Sequence, residues 1–164
     1  MAWTNSKIFT AYLRDLISNT TAMDWDTDAV LNAALFDNTP TPSQTDTAAH
    51  AAYGGAGGQW AANQVTDTGS SAPAGWPTVG RPLVTPTLSA ATVNPIKLDA
   101  DDTVSANAVT TLTNAYGTLV YDDTIAAPVA DQGFCYNYFG GANSVTLGTF
   151  TIVWNASGIL ALTL

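Results

Sequence analysis

The sequence contains no glutamate, a single cysteine, a single histidine and four basic residues, and each shortage removes a class of function. All thirteen acidic residues are aspartate, so the commonest general-acid carboxylate and the bidentate glutamate of calcium loops are both missing, although aspartate serves in some families. Cys135 has no partner for an intrachain disulfide, so stability has to come from packing or assembly. Its place in a strand-like run fits a buried small hydrophobe. One histidine and one cysteine cannot complete a tetrahedral zinc set. Lys7, Arg14, Arg81 and Lys97 form no cluster within a net charge of −9, which argues against nucleic acid and against anionic membrane surfaces as partners. No uninterrupted apolar run approaches the roughly 18 residues of a membrane helix. The opening MAWTNSKIFTAYLRDLIS lacks the cationic start and apolar stretch of a secretory signal, so synthesis in the cytoplasm is expected.

What is present suits one packed domain. The chain has 164 residues, of which 46% are hydrophobic. Charged residues make up 10%, against about 25% in an ordinary soluble domain, so Thr, Ser, Asn, Gly and Ala must cover much of the surface. Such a surface costs little to desolvate, which fits a subunit buried against neighbours. A neutral-surfaced extracellular domain is the plainer alternative.

Residues 5–18 place Ile8, Phe9, Tyr12, Leu13, Leu16 and Ile17 on one helical face, with Asn5 or Ser6 as the cap. Val30–Phe36 reads as a strand that ends in the turn-prone Asp37-Asn38-Thr39-Pro40. From residue 38 to 80 the composition turns to Ala, Gly, Thr, Ser, Gln and Pro around Gly54-Gly55-Ala56-Gly57-Gly58. That stretch predicts an extended loop or arm inserted in the domain, with at most a short helix near Thr47–Tyr53. Strands are expected at Arg81–Ser89, Ile96–Ala100, Asn107–Thr113, Gly117–Tyr121, Gly133–Phe139, Thr149–Trp154 and Ile159–Leu164. Turns are expected at Asn94-Pro95, Asp122-Asp123, Gly140-Gly141-Ala142-Asn143 and Asn155–Gly158. The fold class is therefore mainly β, an antiparallel sandwich or barrel with an N-terminal amphipathic helix and a long Gly/Ala/Pro-rich arm.

Motifs for chemistry are sparse. Asp24, Asp26 and Asp28 imitate the start of an EF-hand loop, but Ala29 and Leu35 stand where the turn glycine and the twelfth-position carboxylate belong, leaving only a looser cation site. Asp99, Asp101 and Asp102 form a second acidic cluster that needs donors to offset repulsion. His50 could serve as a base, yet no Gly-x-Ser-x-Gly elbow and no signature around Cys135 accompanies it. Gly54–Gly58 lacks the Gly-Lys-Ser/Thr ending of a phosphate loop. These readings yield no catalytic, cofactor-binding or metal residues and no cofactor.

In order along the chain, the N-terminal helix, Asp24-Trp25-Asp26-Thr27-Asp28 before Leu35-Phe36-Asp37, His50–Tyr53, Ala74-Gly75-Trp76 through Gly80-Arg81-Pro82-Leu83, Leu98–Asp102, Gly117–Asp123 and Gly148–Asn155 with Gly158-Ile159-Leu160 resemble a family of small virion proteins of tailed bacteriophages. The chain departs from that pattern with Val79-Gly80 where a Gly-Gly pair is frequent, and with Gln64 near a usual acidic position. The resemblance implies a non-enzymatic β-sandwich that decorates or stabilises the outside of the major capsid shell, with the major capsid protein as partner and a homo-oligomer, a trimer, as the assembled form. A tail-associated tube, tip or fibre component is the alternative, and a glycan-binding module, using exposed Trp and Tyr, is a third. Trp3, Ile8, Tyr12, Trp60 and Trp76 are the expected interface residues, and removal of residues 40–78 is expected to weaken particle association while leaving the β domain folded.

Overall fold

The computed structural model describes residues 3–18, 20, 25, 30–54, 58–69, 73–89 and 94–163. It is mainly β, with antiparallel pairing throughout the described ladders. In chain order the elements are β1 (Lys7–Ile8), α1 (Thr10–Ile17), β2 (Leu31–Phe36), α2 (Ala48–Ala51), a 3-10 turn (Ala61–Asn63), β3 (Gln64–Val65), β4 (Arg81–Pro82), β5 (Val84–Leu88), β6 (Ile96–Asp101), β7 (Thr103–Val104), β8 (Thr110–Asp122), β9 (Gly133–Gly148), β10 (Thr151–Ile152) and β11 (Leu160–Leu162).

The frame is a six-stranded sheet in the order β1-β9-β8-β2-β3, with β4 also paired to β2. Leu-Asn-Ala-Ala-Leu-Phe of β2 is buried at all six positions, as a strand covered on both faces requires. One edge of β2 is taken by β8, and the other is shared end to end by β4 at Asn32 and Ala33 and β3 at Leu35 and Phe36. β5, β6 and β11 form a second sheet, and β7 with β10 a two-stranded ladder. The Leu160–Leu162 segment pairs with Ile96–Leu98, which shelters its apolar side chains.

Register explains why the core is aromatic. Phe36, Gly117 and Tyr138 form one cross-strand row, and Ala34, Leu119 and Tyr136 the next, so these side chains share a face. Trp60 packs against Phe36 with centroids 4.8 Å apart, Trp3 against Trp60 at 5.8 Å, and Phe9 against Tyr136 at 5.2 Å. Gly117 makes room for this stack, since a Cβ there would lie 2.6 Å from Trp3 Cζ3.

Two expectations need correction. The helix starts at Thr10 rather than residue 5, because Lys7 and Ile8 pair with Tyr136 and Cys135 of β9. Asn5 and Ser6 cap nothing, as Asn5 Oδ1 accepts the Tyr136 hydroxyl (3.1 Å) and Ser6 Oγ accepts the Tyr138 amide (2.9 Å). The described part of the 38–80 segment is also not a free arm. Thr47 caps α2 by accepting the His50 amide, and Asp67 accepts the amides of Gly69 (2.8 Å), Gly75 (2.6 Å) and Thr111 (2.9 Å), tying the segment to β8. Trp60 and Trp76 enter the core from it, both fully buried.

Deleting residues 40–78 should therefore prevent folding rather than spare the β domain. Trp60→Ala and Trp76→Ala should each cost about 3–5 kcal/mol in denaturant unfolding. A loss below about 1 kcal/mol at either position would mean that the segment is peripheral.

Candidate functional site

The sequence-derived interface residues do not form a surface. Trp3, Tyr12, Trp60 and Trp76 are each 0% exposed, and Ile8 is half-buried against the same core. The indole N–H groups explain the preference for the interior, because each finds an acceptor there. Trp3 donates to Asp37 O (2.7 Å), Trp60 to His50 O (3.0 Å) and Trp76 to Ala33 O (3.1 Å). Trp25 donates to the Tyr12 hydroxyl (2.7 Å) and Trp154 to Thr103 Oγ1 (3.0 Å). Trp3, Trp25, Trp60 and Trp76 are buried in the core, whereas Trp154 is half-buried.

The candidate reactive groups are likewise separated. Cys135 is buried in β9, and burial pushes its thiol well above the ordinary range, with a weak opposing contact from Asn137. His50 Nδ1 lies 3.1 Å from Asp46 Oδ1, in α2 and its approach. Asp99 pairs with Lys97 Nζ (2.9 Å), Asp101 accepts the Thr85 hydroxyl (2.7 Å) and Asp102 accepts the Trp154 amide (3.3 Å), so that acidic run is satisfied residue by residue. Asp24, Asp26 and Asp28 lie outside the described residues. Among the described residues there is no group of three or more His, Cys, Asp or Glu able to hold a metal ion, and no helix long and apolar enough to cross a membrane.

A second network surrounds Tyr53 and Tyr121, the latter in β8 of the sheet frame. Their rings stack at 4.6 Å with planes 3° apart. The Tyr121 hydroxyl donates to Val79 O (2.8 Å), and the Tyr53 hydroxyl reaches both Gln64 Oε1 (2.8 Å) and Thr78 O. Burial raises the Tyr121 phenol far above its usual value, with Tyr53, Asp131 and Asp123 adding to the effect. Burial raises Tyr12 similarly, opposed by the Trp25 hydrogen bond. These shifts belong to a packed interior.

Exposed aliphatic side chains occur at Ile17 (84%) in α1 and at Val79, and the others lie in the C-terminal half. Val84, Leu88, Val104, Val109, Leu147 and Val153 are exposed aliphatics, Leu147 by 69% and Val153 by 72%. Between the outer part of β9 and residues 150–159 runs a groove of about 510 Å³. Its wall includes Tyr138, Phe139, Phe150 and Trp154, with Asn143 and Asn155 at polar positions. The sequence shows Phe150, Ile152 and Trp154 alternating with Thr149, Thr151 and Val153, and burial follows that alternation although only Thr151 and Ile152 form a ladder. Convergence of this segment with Tyr138 and Asn143 has no sequence signal, because it depends on the fold-back after β9. The expected turn at Gly140–Asn143 is instead an irregular stretch inside β9, where the register slips between Ala115↔Asn143 and Gly117↔Tyr138.

No protein-family model, curated protein or solved structure matches the chain.

The raised tyrosines set the alkaline limit of the fold. An unfolded phenol ionises near pH ~10, while Tyr12 and Tyr121 hold their protons to higher pH in the folded state. Their contribution is thus complete below that unfolded value and lost as pH rises above it. Ultraviolet titration should show these two ionising only together with loss of the circular dichroism of the sheet. Ionisation of all six tyrosines near the ordinary value with the fold intact would contradict this assignment.

Proposed function

We propose that the chain is a structural subunit of a tailed-bacteriophage particle that binds the outside of the major capsid shell as a homo-oligomer, a trimer. The observation that carries this reading is the surface. With 10% charged residues and aliphatic side chains exposed at Val104, Val109, Leu147 and Val153, it exposes apolar area that association would remove from water. A partner present only in the assembled shell would add its binding energy to the particle and not to free subunits. The resemblance of the motif succession to tailed-phage virion proteins supports the biological setting. The contact surface is assigned to the exposed aliphatics of the C-terminal half, since Trp3, Tyr12, Trp60 and Trp76 are buried in the core.

Leu147 is suited to the test, because its φ of +50° is one that aspartate tolerates, and the side chain is exposed. The double variant Leu147→Asp, Val153→Asp should keep the melting temperature and lose roughly tenfold or more in affinity for expanded shells in cosedimentation. Occupancy on shells equal to that of the unaltered chain rejects the surface. Absence of the chain from purified particles, or recovery with isolated tails alone, rejects the capsid location.

A further inference from the structure

The groove between β9 and residues 150–159 has the chemistry of a ligand site, and the geometry points to a neutral oligosaccharide as what it binds. Its volume of about 510 Å³ falls within the roughly 300–1,000 Å³ usual for small-molecule sites. None of the side chains that line it is charged. Aromatic rings and amide side chains dominate instead, and these match the two sides of a sugar. The C–H face of a pyranose packs on an aromatic ring, while Asn143, one amide hydrogen of which goes to Gly141 O, and Asn155, whose Oδ1 accepts from Ser157, keep further donor and acceptor capacity for hydroxyl groups.

The rings are held before any ligand arrives. Phe150 meets Trp76 edge-on, with centroids 5.6 Å apart at 90°, and the Trp154 indole is fixed by its bond to Thr103 Oγ1. Holding the platform still lowers the entropy lost on binding. Tyr138 is positioned through its backbone, whose amide donates to Ser6 Oγ, and its ring is half-buried at the groove.

The backbone separates a sugar from an extended peptide. Strand addition needs a row of open amides, but five of those along residues 150–159 are used inside the domain. Phe150 N donates to Ser105 Oγ (3.1 Å), Trp154 N to Asp102 Oδ1 (3.3 Å), Ser157 N to Asn155 Oδ1 (2.8 Å), Gly158 N to Asn155 O (2.7 Å) and Ile159 N to Leu98 O (2.9 Å). Recognition is left to side chains. The charge of the chain narrows the class further. At −9, with Asp102 beside Trp154, an acidic glycan meets repulsion and no compensating cation in the wall.

This inference is independent of the capsid reading, since a sugar site could serve a subunit at any place on a particle or off it. The test is isothermal titration of the full chain with maltohexaose, cellohexaose and N-acetylchitohexaose, with sialyllactose as the acidic comparison. Saturable binding of at least one neutral hexamer is expected, with sialyllactose silent. Trp154→Ala should weaken that binding by roughly tenfold or more. Because Trp154 also contributes packing, Tyr138→Phe serves as the second variant. It keeps the ring, removes one hydroxyl, and should weaken binding several-fold without moving the melting temperature. Silence of all three neutral hexamers at millimolar concentration overturns the proposal. So does equal affinity for sialyllactose, or neutral-sugar binding that Tyr138→Phe and a folded Trp154→Ala both leave unchanged.

Discussion

The fold depends on one dry aromatic contact, the packing of Trp3, Phe9 and Trp60 on the Phe36–Tyr136 face of the central sheet. Three distant parts of the chain meet there. The N-terminal segment brings Trp3 and Phe9, the polar stretch after β2 brings Trp60, and the β8–β9 ribbon supplies the floor. Each indole must surrender its hydration to enter, and each recovers a hydrogen bond from a carbonyl at the destination. A chain with one cysteine has no covalent alternative for holding such remote segments. The aromatic contact does that work, and it leaves the large rings of the first half of the chain with no surface role.

The two ends of the β8–β9 ribbon consequently differ. Near Gly133–Tyr136 and Gly117–Asp122 the strands are buried on both faces, and burial there raises the Tyr121 phenol and the Cys135 thiol well above their ordinary values. Beyond the irregular stretch at Gly140 the same strands turn half-exposed, with Leu147 open to solvent and Val145 still touching the core. Leu147, Val153 and the uncharged groove all lie at that outer end.

Legibility in the sequence followed how local each signal was. The β2 strand could be read from a continuous apolar run, and the alternation of Phe150, Ile152 and Trp154 was correct in burial even where no ladder formed. Ser6 and Asn5 looked like helix caps, yet the edge of β9 offered Tyr136 and Tyr138 as partners, and tertiary pairing outweighed local capping. Gly140-Gly141-Ala142-Asn143 obeys every rule for a turn, but Thr110–Ala115 continues to pair across it, so the surplus residues became an irregularity with Gly140 at φ +83°. Polar composition around Trp60 and Trp76 suggested an arm, whereas burial of two indoles and the three amides gathered by Asp67 were enough to fold it down. The groove was visible only as separate pieces. Asn143, Tyr138 and Trp154 are brought together by the fold-back between β9 and the Asn155–Gly158 turn, which no local pattern encodes.

Hydrogen exchange measured amide by amide tests the aromatic contact most directly. The Phe9 amide, bonded to Phe134 O, and the Asp67 amide, bonded to Trp76 O, belong to the segments that carry Phe9, Trp60 and Trp76 into the core. Both should exchange through the same global opening as the amides of β2 and β8, with the same dependence on denaturant. Exchange of Phe9 and Asp67 at near-unfolded rates while β8 stays protected would show that the sheet stands without them, and the account would fail.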